Sequence, residues 1–558
     1  MPMTPFEPES STISHPTRAR TRAVLAVLLS ATCTMMSHGF RLQAQAPPPS
    51  GGVRRPPPPK TPAARARPSP SFDVRAFGAT GDGAAIDTDA INRAIQAAAA
   101  AGGGTVRFPA GTYASFSIHL ASHVGLLLEH GATLVAAAPA GAVGPKTGYD
   151  APEPNEWDAY QDFGHSHWHN SLMWGEHLED VSITGPGTIW GKGLIRNQNA
   201  QSPAGTGNKA ISLKWCRNVL IRDVSIRHGG HFAILATGVD NLTIDNVKID
   251  TNRDGIDVDA CKNVRISNAT VNSPFDDGIC PKSSFALGVA RATENVTITN
   301  SQVSGYDEGT LLDGTFKRTV KYNRGTTGRI KMGTESNGGF KNITISNCVF
   351  DYSRGLALES VDGGLLEDVT ISNITMRDIV NAPIFIRLGN RARGPKETTP
   401  VSVLRRVVLS NIVVYNADPR YASIISGIPG HDIEDLTLSS IRVYHQGGGT
   451  TAQAALAPLE KEIDYPEPDM FGEMPAYGFF IRHVSGIAMN DVEVGYLKED
   501  RRPAFVLTGV RGADFHHVKA QRAADGPTFS LFDVQGFSVQ HSWPVPDTRL
   551  ERVQQKVF

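Results

Sequence analysis

Four residues in the middle of the chain carry its strongest chemical signal. His231, Asp254 and Asp276 each stand thirteen residues after an asparagine that opens a repeated strand pattern, at Asn218, Asn241 and Asn263, and Asp277 follows directly. If the repeats stack, these positions fall on successive coils, on one face, a few ångströms apart. Carboxylates that close resist ionising together, so at least one should keep its proton well above the usual range while a neighbour stays a base. A proton donor beside a proton acceptor is what general acid–base catalysis near neutral pH needs. A lone Asp is explained by a turn, as at Asp259, Asp313 and Asp362; three in register beneath a histidine are better explained by function. His231 is then read as a substrate contact above the acids.

The elements that position these residues are visible as a repeat. It reads NVLIRDVSI from Asn218, NLTIDNVKI from Asn241, NVRISNATV from Asn263 and NVTITNSQV from Asn295, and continues through Asn342, Asp368, Arg406, Asp435 and Gly486. Apolar and polar residues alternate, the period-two mark of a strand with one buried face. The first starts are 23 and 22 residues apart, a spacing that with strands instead of helices means a solenoid. The leucine-rich frame is missing, which leaves a single-domain parallel β-helix, all-β, with an Asn ladder at its turns. The five N-x-T matches (Asn241, Asn268, Asn295, Asn342, Asn373) belong to that repeat and are not read as glycosylation sites. Before the repeat, Ile91, Ala94, Ile95 and Ala98 share one helical face that Gly102-Gly103-Gly104 terminates. A solenoid needs a cover over its first coil, and this helix is the expected one.

Composition excludes several classes. Lys and Arg number 54 against 55 Asp and Glu, so neither nucleic acid nor an anionic membrane surface is an expected partner. With 40% hydrophobic and 20% charged residues among 558, the chain is core-bearing. Residues 1–46 read as a signal peptide: Arg18, Arg20 and Arg22, a short apolar run from Ala23 to Ala31, and Ala44-Gln45-Ala46 as a cleavage site. Residues 47–70 are a Pro-rich linker, residues 71–545 the solenoid, and 546–558 a C-terminal tail. A secreted or periplasmic monomer without a membrane span is expected. The mature cysteines are expected buried and free, because Cys216 and Cys261 lie two coils apart, near 9.6 Å at a spacing of about 4.8 Å per coil, beyond disulfide reach.

The stretch NRDGIDVDACKNVRISNATVNSPFDDGICPKSS, Asn252 to Ser284, resembles the core of glycoside hydrolase family 28, the polygalacturonase family. The frame is Asn-x-Asp-Gly-Ile-Asp, then about twenty residues, Asp-Asp, and a Lys soon after. The resemblance implies a right-handed parallel β-helix and hydrolysis with inversion. It implies Asp276 as general acid, Asp254 with Asp277 activating water, Asn252 and Lys282 at the substrate, a pectic poly- or oligosaccharide as substrate, and no metal or cofactor. Inversion needs room for a water, so the stacked acids must splay. The chain also departs from the family. Where a Gly-His-Gly coil is normal it has GRIKMGTESNGGF from Gly328, so Arg329-Ile330-Lys331 is out of register. The following coil puts Ala357 and Glu359 where the family has Arg and Lys, the pair that meets the sugar carboxylate. Arg329, Lys331 or Lys282 is then expected to supply that charge, with Glu359 facing the sugar as a like charge.

Two insertions, between Ser304 and Gly328 and between Gln446 and Tyr477, are expected to shape a cleft. His165, His167 and His169 alternate in FGHSHWHN; on a strand they share a face, and His167 and His169 are read as sugar contacts in preference to metal ligands. Two other readings stay open: a β-helix polysaccharide lyase, which wants Ca²⁺ and a basic residue, and a non-catalytic β-helix that binds glycans.

Overall fold

The computed structural model describes residues 70–558 apart from 142, 145, 197–200 and 322–324. The signal peptide and nearly all of the linker therefore lie outside the described residues. Helix α1, Thr88–Ala100, buries Ile91, Ala94, Ile95 and Ala98, the face that the spacing gives. It is followed by a right-handed parallel β-helix. Every apolar position of the repeat points inward, and equivalent residues stack coil on coil: Ile221, Ile244, Ile266, Ile298, Ile345 and Ile371 are successive register partners. All six are fully or almost fully buried, each contributing about 1.5–3 kcal/mol by leaving water.

The turn asparagines have left-handed backbones, with φ of 54–57° at Asn218, Asn241, Asn263, Asn295 and Asn342, a conformation that Asn tolerates better than most residues. Their side chains form the ladder: Asn241 Nδ2 donates to Asn218 Oδ1 at 3.0 Å, Asn263 to Asn241 at 3.2 Å, Asn295 to Asn263 at 3.1 Å and Asn342 to Asn295 at 2.8 Å. Cys216, Cys261, Cys280 and Cys348 are buried and free.

One face of the solenoid bears the acids. Its strands are β1 (Ile118–His119), β2 (Ser171–Glu176), β3 (Lys209–Lys214), β4 (Phe232–Thr237), β5 (Asp254–Asp259), β6 (Ile279–Lys282), β7 (Lys331–Met332), β8 (Leu356–Ser360), β9 (Ile384–Leu388), β10 (Ser423–Ser426) and the first residues of β11 (Phe479–Lys498). Neighbours pair in parallel, with Ile279 bridging to Ile330 between β6 and β7. Outward residues of this sheet would ordinarily meet solvent, yet Leu235 on β4 and Phe385 on β9 are 0% and 1% exposed. Two segments cover them. Residues 149–170 seat Trp168 against Phe232, Leu235 and Ala286. Residues 448–477 seat Phe471 and Met474 in a cluster with Ala357, Phe385, Ile424 and Phe480.

The expected tail is not a tail. After β12 (Phe505–His516) and β13 (Phe529–Gln540), the chain forms β14, Thr548–Val557, which runs antiparallel to β13. Phe558 stacks on Phe529 at 5.4 Å. The alternation in TRLERVQQKV is blurred by charge on its open side, which hides the strand from a pattern search.

Candidate active site

The register differs from the thirteen-residue count by one. Phe232, not His231, pairs with Asp254. Counting back from the Ile256–Ile279 pair, Asp254 lies beneath Asp277, and Arg253 beneath Asp276. The cause is a turn. Four residues, 228–231, lead into β4, but only three, 251–253, lead into β5. The shift brings Arg253 Nη2 to 2.6 Å from Asp276 Oδ2. The three acids still converge, with an oxygen from each within 4.8 Å of the others. The splaying expected between them is thus small.

Their surroundings differ sharply. Asp277 is buried and receives Arg329 Nε at 2.8 Å and Lys331 Nζ at 3.1 Å. Burial works to raise its pKa, but Lys331, Arg329 and Lys282 outweigh that and hold it below the usual carboxylate range. Asp254 is 3% exposed, and burial, with Asp257 and Asp276 adding repulsion, pushes it well above that range. Asp276 is the open member, its side chain 26% exposed. The trio thus contains an ionised base and a proton-holding acid a few ångströms apart.

Further groups were missed by sequence reasoning. Asp257 is fully buried on β5 with His165 Nε2 at 3.5 Å and Lys282 Nζ at 3.8 Å; the motif spelled out its carboxylate, but an Asp in a strand interior was not read as part of the site. Glu335 receives Lys282 at 3.3 Å. Burial works to raise its pKa, but Lys282, His165, Arg391 and Arg393 hold it well below its usual value. From the second insertion, Glu467 Oε1 accepts from Arg329 Nη2 at 2.5 Å and its Oε2 faces Arg354 Nη1 at 2.8 Å. Tyr465 from the same segment stands 3.4 Å from Lys331 Nζ, and its hydroxyl lies 3.1 Å from Thr334 Oγ1.

Several expectations are corrected by these contacts. Arg329, Lys331 and Lys282 are 1%, 2% and 4% exposed, and each is engaged by carboxylates of the chain. Glu359 is enclosed by the chain itself, 0% exposed. It is buried with Lys331 Nζ at 3.8 Å and Arg329 at 4.0 Å, and accepts from Thr334 at 2.9 Å; burial pushes it up to about 7 against those cations. The three histidines do not share a face, because Phe163–His165 is a 3₁₀ turn and the strand begins only at Ser171. His165 alone reaches the acids. His167 is tied to the Glu153 carbonyl at 2.6 Å and Asp158 at 3.1 Å, and His169 stacks on Trp174 and meets Glu176. His231 is buried, its ring nitrogens without a hydrogen-bond partner among the described residues, 6.3 Å from the His165 ring. Asn252 is buried, its carbonyl accepting from Phe275 N. Ligand atoms of His165, Asp254 and Asp257 also lie within 4.8 Å. A cation there would have to compete with Lys282, which already sits beside Asp257.

This geometry is met by comparison with known proteins. The family described as "Glycosyl hydrolases family 28" matches residues 157–461. The chain belongs to glycosyl hydrolase family 28. Residues 71–127 match "Rhamnogalacturonase A/epimerase, pectate lyase-like". A "Probable polygalacturonase" of Vitis vinifera is 23% identical over 66% of this chain and 73% of its own. An "Exo-poly-alpha-D-galacturonosidase" of Dickeya chrysanthemi is 22% identical over 65% of each. The crystal structure of a hyperthermoactive exopolygalacturonase from Thermotoga maritima covers 88% of this chain and 96% of its own at 16% identity and a TM-score of 0.54, which supports the β-helix fold. As a family 28 member the protein is a glycoside hydrolase, which removes the lyase and the non-catalytic binder from consideration.

Proposed function

We propose that this family 28 hydrolase cleaves glycosidic bonds of a pectic poly- or oligosaccharide from a chain end. The observation that carries the chemistry is the pair of opposed neighbours, Asp277 held ionised and Asp254 held protonated, beside the accessible Asp276. In this reading ionised Asp277 deprotonates a water that the Asp254 carboxyl helps to orient. Asp276, which alone of the three is open to a ligand, takes up a proton as it leaves Arg253 and passes it to the leaving oxygen. The proton that Asp277 takes from water returns to solvent after the products leave. The sugar must first draw Asp276 away from Arg253. End-on action is supported by the two covers, which bury the groove face on either side of the acidic coils.

The Asp276→Asn variant tests the assignment. Loss of at least about 10²-fold in kcat is expected, the lower range for removing a general acid, with the fold intact by circular dichroism; full activity would reject the role. Stereochemistry is a separate readout. Inverting enzymes space their carboxyl groups about 6.5–9.5 Å apart and retaining ones about 5 Å, and the nearest oxygens here are within 4.8 Å. Inversion, implied by the resemblance, then requires Asp276 to swing outward with the sugar, and product NMR that finds retention would contradict it. A secreted or periplasmic location is the reading of residues 1–46, and no helix among the described residues is long and apolar enough to cross a membrane. Native protein sequenced with Met1 retained would count against it.

A further inference from the structure

Each of the cations around the acids is already engaged by a carboxylate of the chain itself. Arg253 pairs with Asp276, Lys331 with Asp277 and Glu359, and Lys282 with Glu335 and Asp257. Arg391 is held by Asp362, and Arg393 reaches Asp162 at 3.2 Å. Arg329 and Arg354 together form a seat with the shape of an anion site: two buried guanidinium groups on neighbouring coils, aimed at one point beside Asp277. That seat is filled from within by Glu467, one oxygen to each arginine, at 2.5 and 2.8 Å. Glu467 is itself 6% exposed. The segment that delivers it is fastened elsewhere, through Arg387 to the carbonyls of Glu460 and Lys461 and through Arg482 to those of Pro458 and Leu459. Two aromatic faces remain open near Asp276, Phe275 and Tyr465, each 49% exposed, and the charged groups beside them, Arg253 with Asp276 and Arg393 with Asp162, are paired with one another.

We propose that Glu467 is a specificity-determining residue that stands in for a substrate carboxylate, so that the sugar bound at the cleavage point is uncharged. The inference rests on the hydrolase reading above and narrows its substrate class. An acidic sugar there would bring its charge among Asp254, Asp276 and Asp277 and find the arginine seat taken, a repulsive arrangement that excludes it. An uncharged sugar, either a neutral hexose or an esterified uronate, meets aromatic faces and needs no counter-ion.

Short galacturonide oligomers as the free acid, as the methyl ester and after reduction of the carboxyl group to a neutral galactoside separate these cases. The wild type is expected to favour an uncharged form by at least about tenfold in kcat/KM; which of the two is preferred tells an esterified from a neutral sugar. In Glu467→Gln the acid-to-ester ratio should move at least about tenfold toward the acid, the lower range for one additional charge-assisted hydrogen bond. A wild type that favours the free acid tenfold overturns the proposal, as does a folded Glu467→Gln with an unmoved ratio. If the variant loosens its segment, the wild type still decides by salt. KM for the preferred form should change less than about twofold when ionic strength is raised tenfold, and a strong rise would mean a charged contact. Should none of the three be hydrolysed, the hydrolase reading fails by itself; calorimetric affinities for the same three sugars then test the charge preference, with the same tenfold criterion.

Discussion

The two segments that cover the groove face hold on by different means. Residues 149–170 are pinned mainly by polar bonds: the Glu153 carboxylate accepts from the backbone of Trp168 and His169, Asn155 donates to the carbonyls of Ser166 and Ala286, and Trp168 Nε1 donates to Thr237 at 3.0 Å. Residues 448–477 bury an apolar cluster around Phe471 and then extend Glu467 into an arginine pair. The first cover brings His165 to within 3.5 Å of Asp257 and deepens a desolvated acid pocket; the second helps to balance the cations that grip Asp277. Two aspartates one coil apart therefore reach opposite protonation preferences because Asp277 meets Lys331 and Arg329 of the next coil, whereas Asp254 meets burial and the carboxylates of Asp257 and Asp276.

Removing each aspartate should expose that difference most strongly. Asp277→Asn takes one anion from Arg329 and Lys331 and leaves them Glu467 and Glu359, so we expect kcat to fall by about 10²–10⁴ and stability by about 3 kcal/mol, the lower end for deleting one partner of a buried pair. Asp254→Asn replaces a carboxyl that already favours its neutral form. Its kcat should fall similarly, but its stability should stay within about 1 kcal/mol of wild type. Equal losses of Tm in the two variants would break the comparison.

A middle-sized effect is expected at the covers themselves. Phe471→Ala should cost about 3–5 kcal/mol, the range for truncating a buried phenylalanine. By loosening the apolar cover it should also shift products on a long substrate from end-released sugars to longer fragments. Trp168→Phe, which deletes a hydrogen bond and part of a buried ring system under Lys214, should cost about 2–3 kcal/mol and leave the product pattern alone. Identical product patterns in the two variants would mean that the second cover does not set the end-on mode.

The smallest effect is a slope. Burial raises Glu359 to about 7, against the opposing pull of Lys331 and Arg329. The folded protein then holds a proton that the unfolded chain releases nearer 4.5, so this contribution to stability is complete below about 4.5 and is lost as pH rises through 7. Glu359→Gln should flatten the Tm-against-pH curve between these values, by an amount corresponding to at most about 3 kcal/mol. An unchanged curve would mean that Glu359 is ionised throughout, and that the second cover's charge balance differs from the contacts described.

Much of the fold was legible because one strand pattern repeats and its asparagines mark each turn. The acids were legible as a motif, but their order was not. A count of thirteen cannot see that the turn 251–253 is one residue shorter than 228–231, and that single residue decides that Arg253 lies beside Asp276. Asp257 was spelled out by the motif but not assigned to the site, and Glu335 went unread, because periodicity does not show which side chains of neighbouring coils and covers meet them. Glu467 lies 138 residues from Arg329, in an insertion without periodicity, so only the folded chain joins them. The histidine alternation misled for a related reason: period two implies a shared face only on a strand, and a 3₁₀ turn stands there instead.

The reversal at the end of the chain has a consequence for how these molecules meet one another. A solenoid of parallel coils is an unfinished polymer, since its last coil offers the same unpaired backbone donors and acceptors that each earlier coil used to recruit the next. Strand β14 pairs with β13 while running the opposite way, and Arg549, Glu551, Arg552, Gln555 and Lys556 along it are all exposed. An incoming first coil of another copy thus finds mismatched polarity and a fringe of charge. Chains truncated at 545 should therefore associate end to end in a concentration-dependent way, visible by sedimentation velocity, whereas the full chain should sediment as a single species at the same concentrations.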